Sequence, residues 1–191
     1  MIGSEARQLE RFTFSEIQQW DDDTFYELFN GVPVAMSAPL SRHQAILSQF
    51  FLRLGNFLEG RRCKVYPAPY AVLLDADDNF DGEIMFLPDI AVVCDASKRH
   101  EKGCKGAPDL IIEILSPSTR KSDKITKKQL YEKFGVPEYW IVDPDTRMVD
   151  VYLQFNGRYV ISSYTDEDIL PVVVLPGCEI DLKAAFDAAE E

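Results

Sequence analysis

The stretch Asp109-Leu110-Ile111-Ile112-Glu113-Ile114-Leu115 decides how this chain is read. From Leu110 to Leu115, five apolar residues around one carboxylate spell an apolar strand interrupted only by Glu113. Strand alternation puts Ile111, Glu113 and Leu115 on one face and Leu110, Ile112 and Ile114 on the other, so the carboxylate shares its face with apolar neighbours. Burying a charge there is costly unless it is paired or binds a metal. The competing reading is a half-exposed strand with a solvated glutamate.

Upstream, Asp89 follows Pro88 at the start of a second apolar strand, Ile90 to Cys94. Two carboxylates converging from neighbouring strands form the oxygen-ligand arrangement that Mg²⁺ takes. Downstream, Asp123 to Phe134 is expected to be a helix closed by Gly135. On it Asp123, Lys127, Leu130, Tyr131 and Phe134 fall on one face, while Lys124 and Lys128 turn outward. Lys127 alone puts a cation in that apolar stripe. It is either a snorkelling side chain or a charge aimed at the pocket of Asp89 and Glu113, and the two carboxylates favour the second. Two metal-binding carboxylates and a lysine suit phosphodiester hydrolysis, with the metal activating water and the ammonium stabilising the pentavalent charge.

The remaining segments supply a mixed sheet and its flanking helices. Ser15 to Trp20 predicts a short first helix. Asn30-Gly31 and Asn156-Gly157 predict type I′ hairpins, the first between Phe25–Phe29 and Val32–Met36, the second between Val149–Leu153 and Tyr159–Ser163. Apolar residues recur at helical spacing from Ser41 to Glu59. Lys64 to Leu74 reads as one strand, Asp75 to Glu83 as an acidic loop, Tyr139 to Val142 as a strand, Val172 to Val174 as a last strand, and a helix starts at Leu182. Hairpins dominate early and late, so the expected fold class is α/β (α+β): a mixed central β-sheet flanked by helices, with added hairpins, in a single domain over residues 1–191.

Two local patterns lead nowhere. Asp77, Asn79, Asp81 and Gly82 satisfy half of a calcium loop, but Pro88 stands where the bidentate glutamate belongs. Ser116-Pro117-Ser118-Thr119 has no nucleophile context and reads as a turn.

Of the 191 residues, 20 are basic and 32 acidic, for a net charge of −12. Taken globally, that argues against a protein that coats nucleic acid. Between Ala96 and Lys133, however, ten Lys and Arg face five acids, a local surplus of five. Arg120, Lys121, Lys124 and Lys128 are the candidate phosphate contacts in this segment, which otherwise is a solvated face. No apolar stretch spans a membrane, and the charged residues between Met1 and Arg11 are unlike a signal peptide. Cys63, Cys94, Cys104 and Cys178 show no C-x-x-C spacing, and His43 and His100 no ligand cluster. Neither a zinc site nor a disulfide framework is expected, and the expected setting is reducing and cytoplasmic.

These residues also carry a resemblance. Phe12-Thr13, Glu27-Leu28 with Gly31, Ser41-Arg42-His43, Pro88-Asp89, Gly106-Ala107-Pro108-Asp109 through Glu113 to Thr119, and Gly135-Val136-Pro137-Glu138-Tyr139-Trp140 resemble the Uma-two family of restriction endonucleases, within the PD-(D/E)XK nuclease superfamily. The likeness runs from about residue 12 to 186. It implies a restriction-endonuclease-like core and metal-dependent cleavage, with Asp89 as the motif aspartate, Glu113 as its acidic partner and Glu27 as an additional acid. His43 resembles a recurrent family position and is carried as an auxiliary residue. The superfamily pattern places a lysine at position 115, where this chain has leucine; Lys127 is the candidate replacement. The expectation is an endonuclease acting on DNA with Mg²⁺ or Mn²⁺ held by Asp89, Glu113 and Glu27, and with catalytic residues Asp89, Glu113, Lys127 and Glu27. The alternative is a catalytically inactive nuclease-fold protein that binds nucleic acid or a protein partner. The apolar hairpin with Tyr152, Leu153, Phe155 and Tyr159 adds self-association, as a homodimer, to the expected partners.

Overall fold

The computed structural model describes residues 10–190; the N-terminal charged stretch, apart from Glu10 and Arg11, lies outside them. A single-turn helix α1 (Phe14–Ile17) precedes the strands β1 (Tyr26–Phe29) and β2 (Val32–Ala35). The long helix α2 (Ser41–Leu58) leads to β3 (Lys64–Pro67), β4 (Val72–Leu73), β5 (Met85–Phe86) and β6 (Ile90–Val93). A small hairpin of β7 (Arg99–His100) and β8 (Gly103–Lys105) precedes β9 (Leu110–Ile114). Ser122–Lys127 is wound as a π-helix and runs into α3 (Lys128–Phe134). Then come β10 (Glu138–Asp143), β11 (Met148–Phe155), β12 (Arg158–Tyr164), β13 (Ile169–Pro171), β14 (Glu179–Asp181) and α4 (Leu182–Asp187).

The main sheet has six strands in the order β12-β11-β10-β9-β6-β3. Only β9 and β10 run parallel, and the connection between them carries the π-helix and α3, the long crossover that a parallel pair requires. Every residue of β9 is buried, so the strand that decided the reading is central and covered on both sides. On one face Leu110, Ile112 and Ile114 pack with Ile46, Phe50 and Leu54 of α2 and with Phe186 of α4. On the other, Ile111 joins Ala91, Tyr139 and Ile141 against Leu130 and Tyr131 of α3 and Val72 and Phe86 of a second six-stranded sheet. That sheet runs β2-β1-β5-β4-β8-β7. Its far side packs Leu28, Leu73 and Met85 on Phe14 and Ile17 of α1. The result is the expected mixed α+β architecture, in layers that bring three elements to Glu113.

Both Asn-Gly turns adopt the expected conformation: Asn30 and Gly31 have φ of 49° and 81°, and Asn156 and Gly157 have 49° and 79°. Gly135 closes α3 in the left-handed region. Elsewhere the structure corrects the sequence reading. The single strand expected over Lys64 to Leu74 is two strands in different sheets, because prolines at 67 and 69 cannot continue a ladder. In place of the one last strand expected at Val172 to Val174 there are two, Ile169–Pro171 and Glu179–Asp181, paired with each other, and Val172 to Val174 enter the turn between them. Met85–Phe86, too short to read as a strand, pairs with both β1 and β4. The first helix is one turn, capped by Thr13 with Glu16.

Cys63 and Cys94 are joined by a disulfide, against the expectation drawn from cysteine spacing. The antiparallel register pairs Lys64 with Val93, so the residues just outside that pair face each other across β3 and β6. A sequence separation of 31 gives no hint of this. The bond also removes the cysteine argument for a reducing setting. Among the described residues, no helix is long and apolar enough to cross a membrane.

Candidate active site

Glu113 enters the space between the main sheet and α3 with 4% of its surface exposed. Its Oε1 accepts hydrogen bonds from Lys127 Nζ at 3.0 Å and from the Tyr131 hydroxyl at 3.0 Å. The helical stripe therefore turns inward as its spacing predicts. Lys127 is buried, and its ammonium also lies 2.8 Å from Glu27 Oε1 and 3.3 Å from Asp123 Oδ1. Glu27 comes from β1 of the second sheet, and its Oε1 also accepts from Leu87 N–H at 3.1 Å. One lysine thus ties both sheets and the helix through three carboxylates. The contact with Asp123 is ionic only, since Asp123 Oδ1 has no aligned hydrogen-bond donor.

Asp89 sits at the rim of this cluster. The β6–β9 register pairs Ile90 with Ile112, so one step further Asp89 stands opposite Glu113. Asp89 Oδ2 accepts from Ile114 N–H at 2.6 Å and lies 3.1 Å from His43 Nε2 at the start of α2. His43 closes the site from the other layer.

Electrostatics follow from burial. Desolvation pushes the Glu113 carboxyl well above the usual glutamate range; Lys127 opposes the shift, and the charges of Asp123, Asp89 and Glu27 add to it. Burial alone would lower the pKa of Lys127, but Glu113, Glu27 and Asp123 outweigh it and hold the ammonium charged. Burial, then Glu113, raises the Tyr131 hydroxyl and keeps it a donor. For His43, burial is outweighed by the hydrogen bond and charge of Asp89, which raise its pKa.

Against this geometry, a family model described as "Putative restriction endonuclease", that of Uma2, matches residues 14–183. The chain belongs to the Uma2 family. It is 26% identical over 159 residues, 81% of each chain, to the uncharacterized protein slr1290 of Synechocystis sp.. Its fold matches, with a TM-score of 0.72, a crystal structure from Anabaena variabilis ATCC 29413 described as a putative nuclease belonging to DUF820. That match has 21% identity and covers 91% of this chain and 96% of the other. The Uma2 chain therefore has a restriction-endonuclease-like fold.

In this Uma2 protein the position two residues beyond Glu113 is filled by Leu115, which is buried and packs in the core with Leu130 and Tyr131. The cation near Glu113 comes instead from the helix. Asp123 and Tyr131 belong to the cluster although the sequence reading gave neither a role. Their signal was the same buried stripe that carries Lys127.

The basic segment is less open than its charge count implies. Arg120 forks onto Asp143 at 2.8 and 3.3 Å and reaches Asp145 at 3.0 Å. Lys98 Nζ donates to Ala107 C=O, Lys105 pairs with Asp78, and Lys127 is enclosed. Lys121 is exposed, while Lys124 and Lys128 are half-buried, with Lys128 Nζ 5.5 Å from the Tyr152 ring centre.

Four carboxylates, Asp89, Glu27, Glu113 and Asp123, surround one lysine and one histidine. Asp89 Oδ1 and Glu113 Oε2 accept no hydrogen bond among the described residues. No three His, Cys, Asp or Glu side chains among these residues form a ready-made metal cage. The surplus of negative charge and the two free oxygens on facing strands fit a Mg²⁺-type ion, which takes one or two carboxylates and keeps several waters.

Proposed function

We propose that this chain is a metal-dependent endonuclease that hydrolyses phosphodiester bonds of DNA. The supporting observation is the placement of Asp89 opposite Glu113 on adjacent strands, with the Lys127 ammonium 3.0 Å from Glu113. Asp89 and Glu113 would hold Mg²⁺ or Mn²⁺, which when bound supplies Lewis-acid polarisation of the phosphate and an acidified water. Lys127 takes the place of the lysine missing at 115. It offsets part of the effect of burial on the Glu113 carboxyl, and it puts positive charge beside the position where the transition state gathers negative charge. Glu27 and Asp123 orient the ammonium, Tyr131 fixes Glu113, and His43 with Ile114 N–H fixes Asp89. Lys121, Lys124 and Lys128 contact the flanking DNA phosphates.

Leu115 and the internal pairing of Arg120 favour a second reading, a catalytically silent protein that binds nucleic acid or a protein partner through the same surface. Calorimetry with Mn²⁺ on the wild type, Asp89→Ala and Glu113→Ala separates the two. Loss of binding in both variants supports the first reading, and equal affinities in all three refute it. Plasmid cleavage by Lys127→Ala should fall by about 10²-fold or more while metal binding persists.

A further inference from the structure

Sheet edges expose unpaired N–H and C=O groups, and folded proteins usually blunt them with proline, lysine or short length. Three of the four edges of the two large sheets are blunted in this way. β2 contains Pro33, β3 contains Lys64 and Pro67, and β7 has only two residues. The fourth, β12, is seven residues long, Arg158-Tyr159-Val160-Ile161-Ser162-Ser163-Tyr164, with no proline, no lysine and no acid. Val160 and Ile161 are both more than half exposed.

The register settles which groups are free. The two-residue Asn156-Gly157 turn makes Phe155 and Arg158 a hydrogen-bonded pair, and every second residue repeats it. Arg158, Val160, Ser162 and Tyr164 therefore bond to β11, while the backbones of Tyr159, Ile161 and Ser163 face outward. The Tyr159 N–H is taken by Glu132 Oε1 at 2.6 Å. No partner among the described residues meets the outward groups of Ile161 and Ser163.

We propose that β12 pairs antiparallel with β12 of a second copy, about a two-fold axis through Ile161, joining the two main sheets into one. The pattern is self-complementary. Each Ile161 exchanges N–H···O=C bonds with its counterpart, and each Ser163 N–H donates to the Tyr159 C=O of the other copy, a group that Glu132 leaves free. Charge is complementary in the same register. Arg158, whose side chain is 83% exposed and reaches Glu132 of its own chain only at 3.4 Å, comes opposite Tyr164 of the second copy, beside the acidic turn Asp166-Glu167-Asp168, of which Asp166 is held by Arg147. The axis repeats this contact. Elsewhere the net charge of −12 repels a like molecule, whereas the β11–β12 hairpin carries only Asp150 and Arg158, which cancel.

Light scattering and sedimentation equilibrium on the whole chain test this, with amide exchange read at Ile161 and Ser163. The wild type is expected to be a dimer with both amides protected. Ile161→Lys and Arg158→Glu, both at exposed positions, should each shift it to monomer and release the two amides while the far-UV circular dichroism stays that of the folded chain. A monomeric wild type overturns the proposal. So does a dimer that persists in both variants or leaves Ile161 unprotected, because another surface would then form it.

Discussion

Lys127→Met removes the ammonium and keeps the length of the side chain. With Glu27, Glu113 and Asp123 at 2.8, 3.0 and 3.3 Å and only 2% of the lysine side chain exposed, no solvent screens the carboxylates left behind. Breaking a buried pair in this way costs about 3–5 kcal/mol. An independent bound agrees. Protonating one carboxylate at pH 7 costs about 1.4 kcal/mol for each of the roughly 2.7 units above its ordinary pKa, or about 3.7 kcal/mol. For a chain of this length the loss corresponds to a drop in Tm of roughly 6–20 °C. The pH dependence distinguishes charge from packing. In the variant the crowded carboxyls hold protons in the folded state that they release on unfolding, so its stability falls as pH rises above about 4. The deficit relative to wild type should therefore shrink by up to about 1.4 kcal/mol per pH unit as pH is lowered from 7 towards 5. Urea titrations at several pH values measure it, with half-buried Lys124→Met as a control expected to change by less than about 0.5 kcal/mol. Adding Glu113→Gln should recover part of the loss. A deficit below about 1 kcal/mol, or one independent of pH, would refute the idea that the cluster is held by charge.

Other outcomes follow from single features. His43 has a raised folded pKa, so its pair with Asp89 contributes full stability below about pH 6.5 and loses it as pH rises through the raised value; His43→Gln should flatten that window in thermal melts. Reducing Cys63–Cys94, which closes a span of 31 residues, should cost about 3–4 kcal/mol and lower Tm, whereas two free thiols in the oxidised native protein would deny the bond. Reversing Lys124 and Lys128 to Glu should weaken DNA binding and reduce its salt slope by about 2, and an unchanged slope would leave these lysines as a solvated face.

Local chemistry alone determined a good part of this protein. The alternation in Leu110 to Leu115 marked Glu113 as an inward carboxylate, the Asn-Gly pairs placed both hairpins, and helical spacing turned Lys127 inward and Lys124 outward. Those signals act over a few residues, through turn geometry and the periods of strand and helix. Tertiary structure decided where the inward groups meet. Glu27 reaches Lys127 from a different sheet, and the segment that carries Asp123 and Lys127 is wound as a π-helix, which no residue pattern announced. The disulfide depends on the β3–β6 register, and the division of Lys64–Leu74 depends on which sheet each half joins. Such pairings are selected by packing between layers far apart in sequence: a single carboxylate can be seen to need a partner, but the fold determines which cation supplies it.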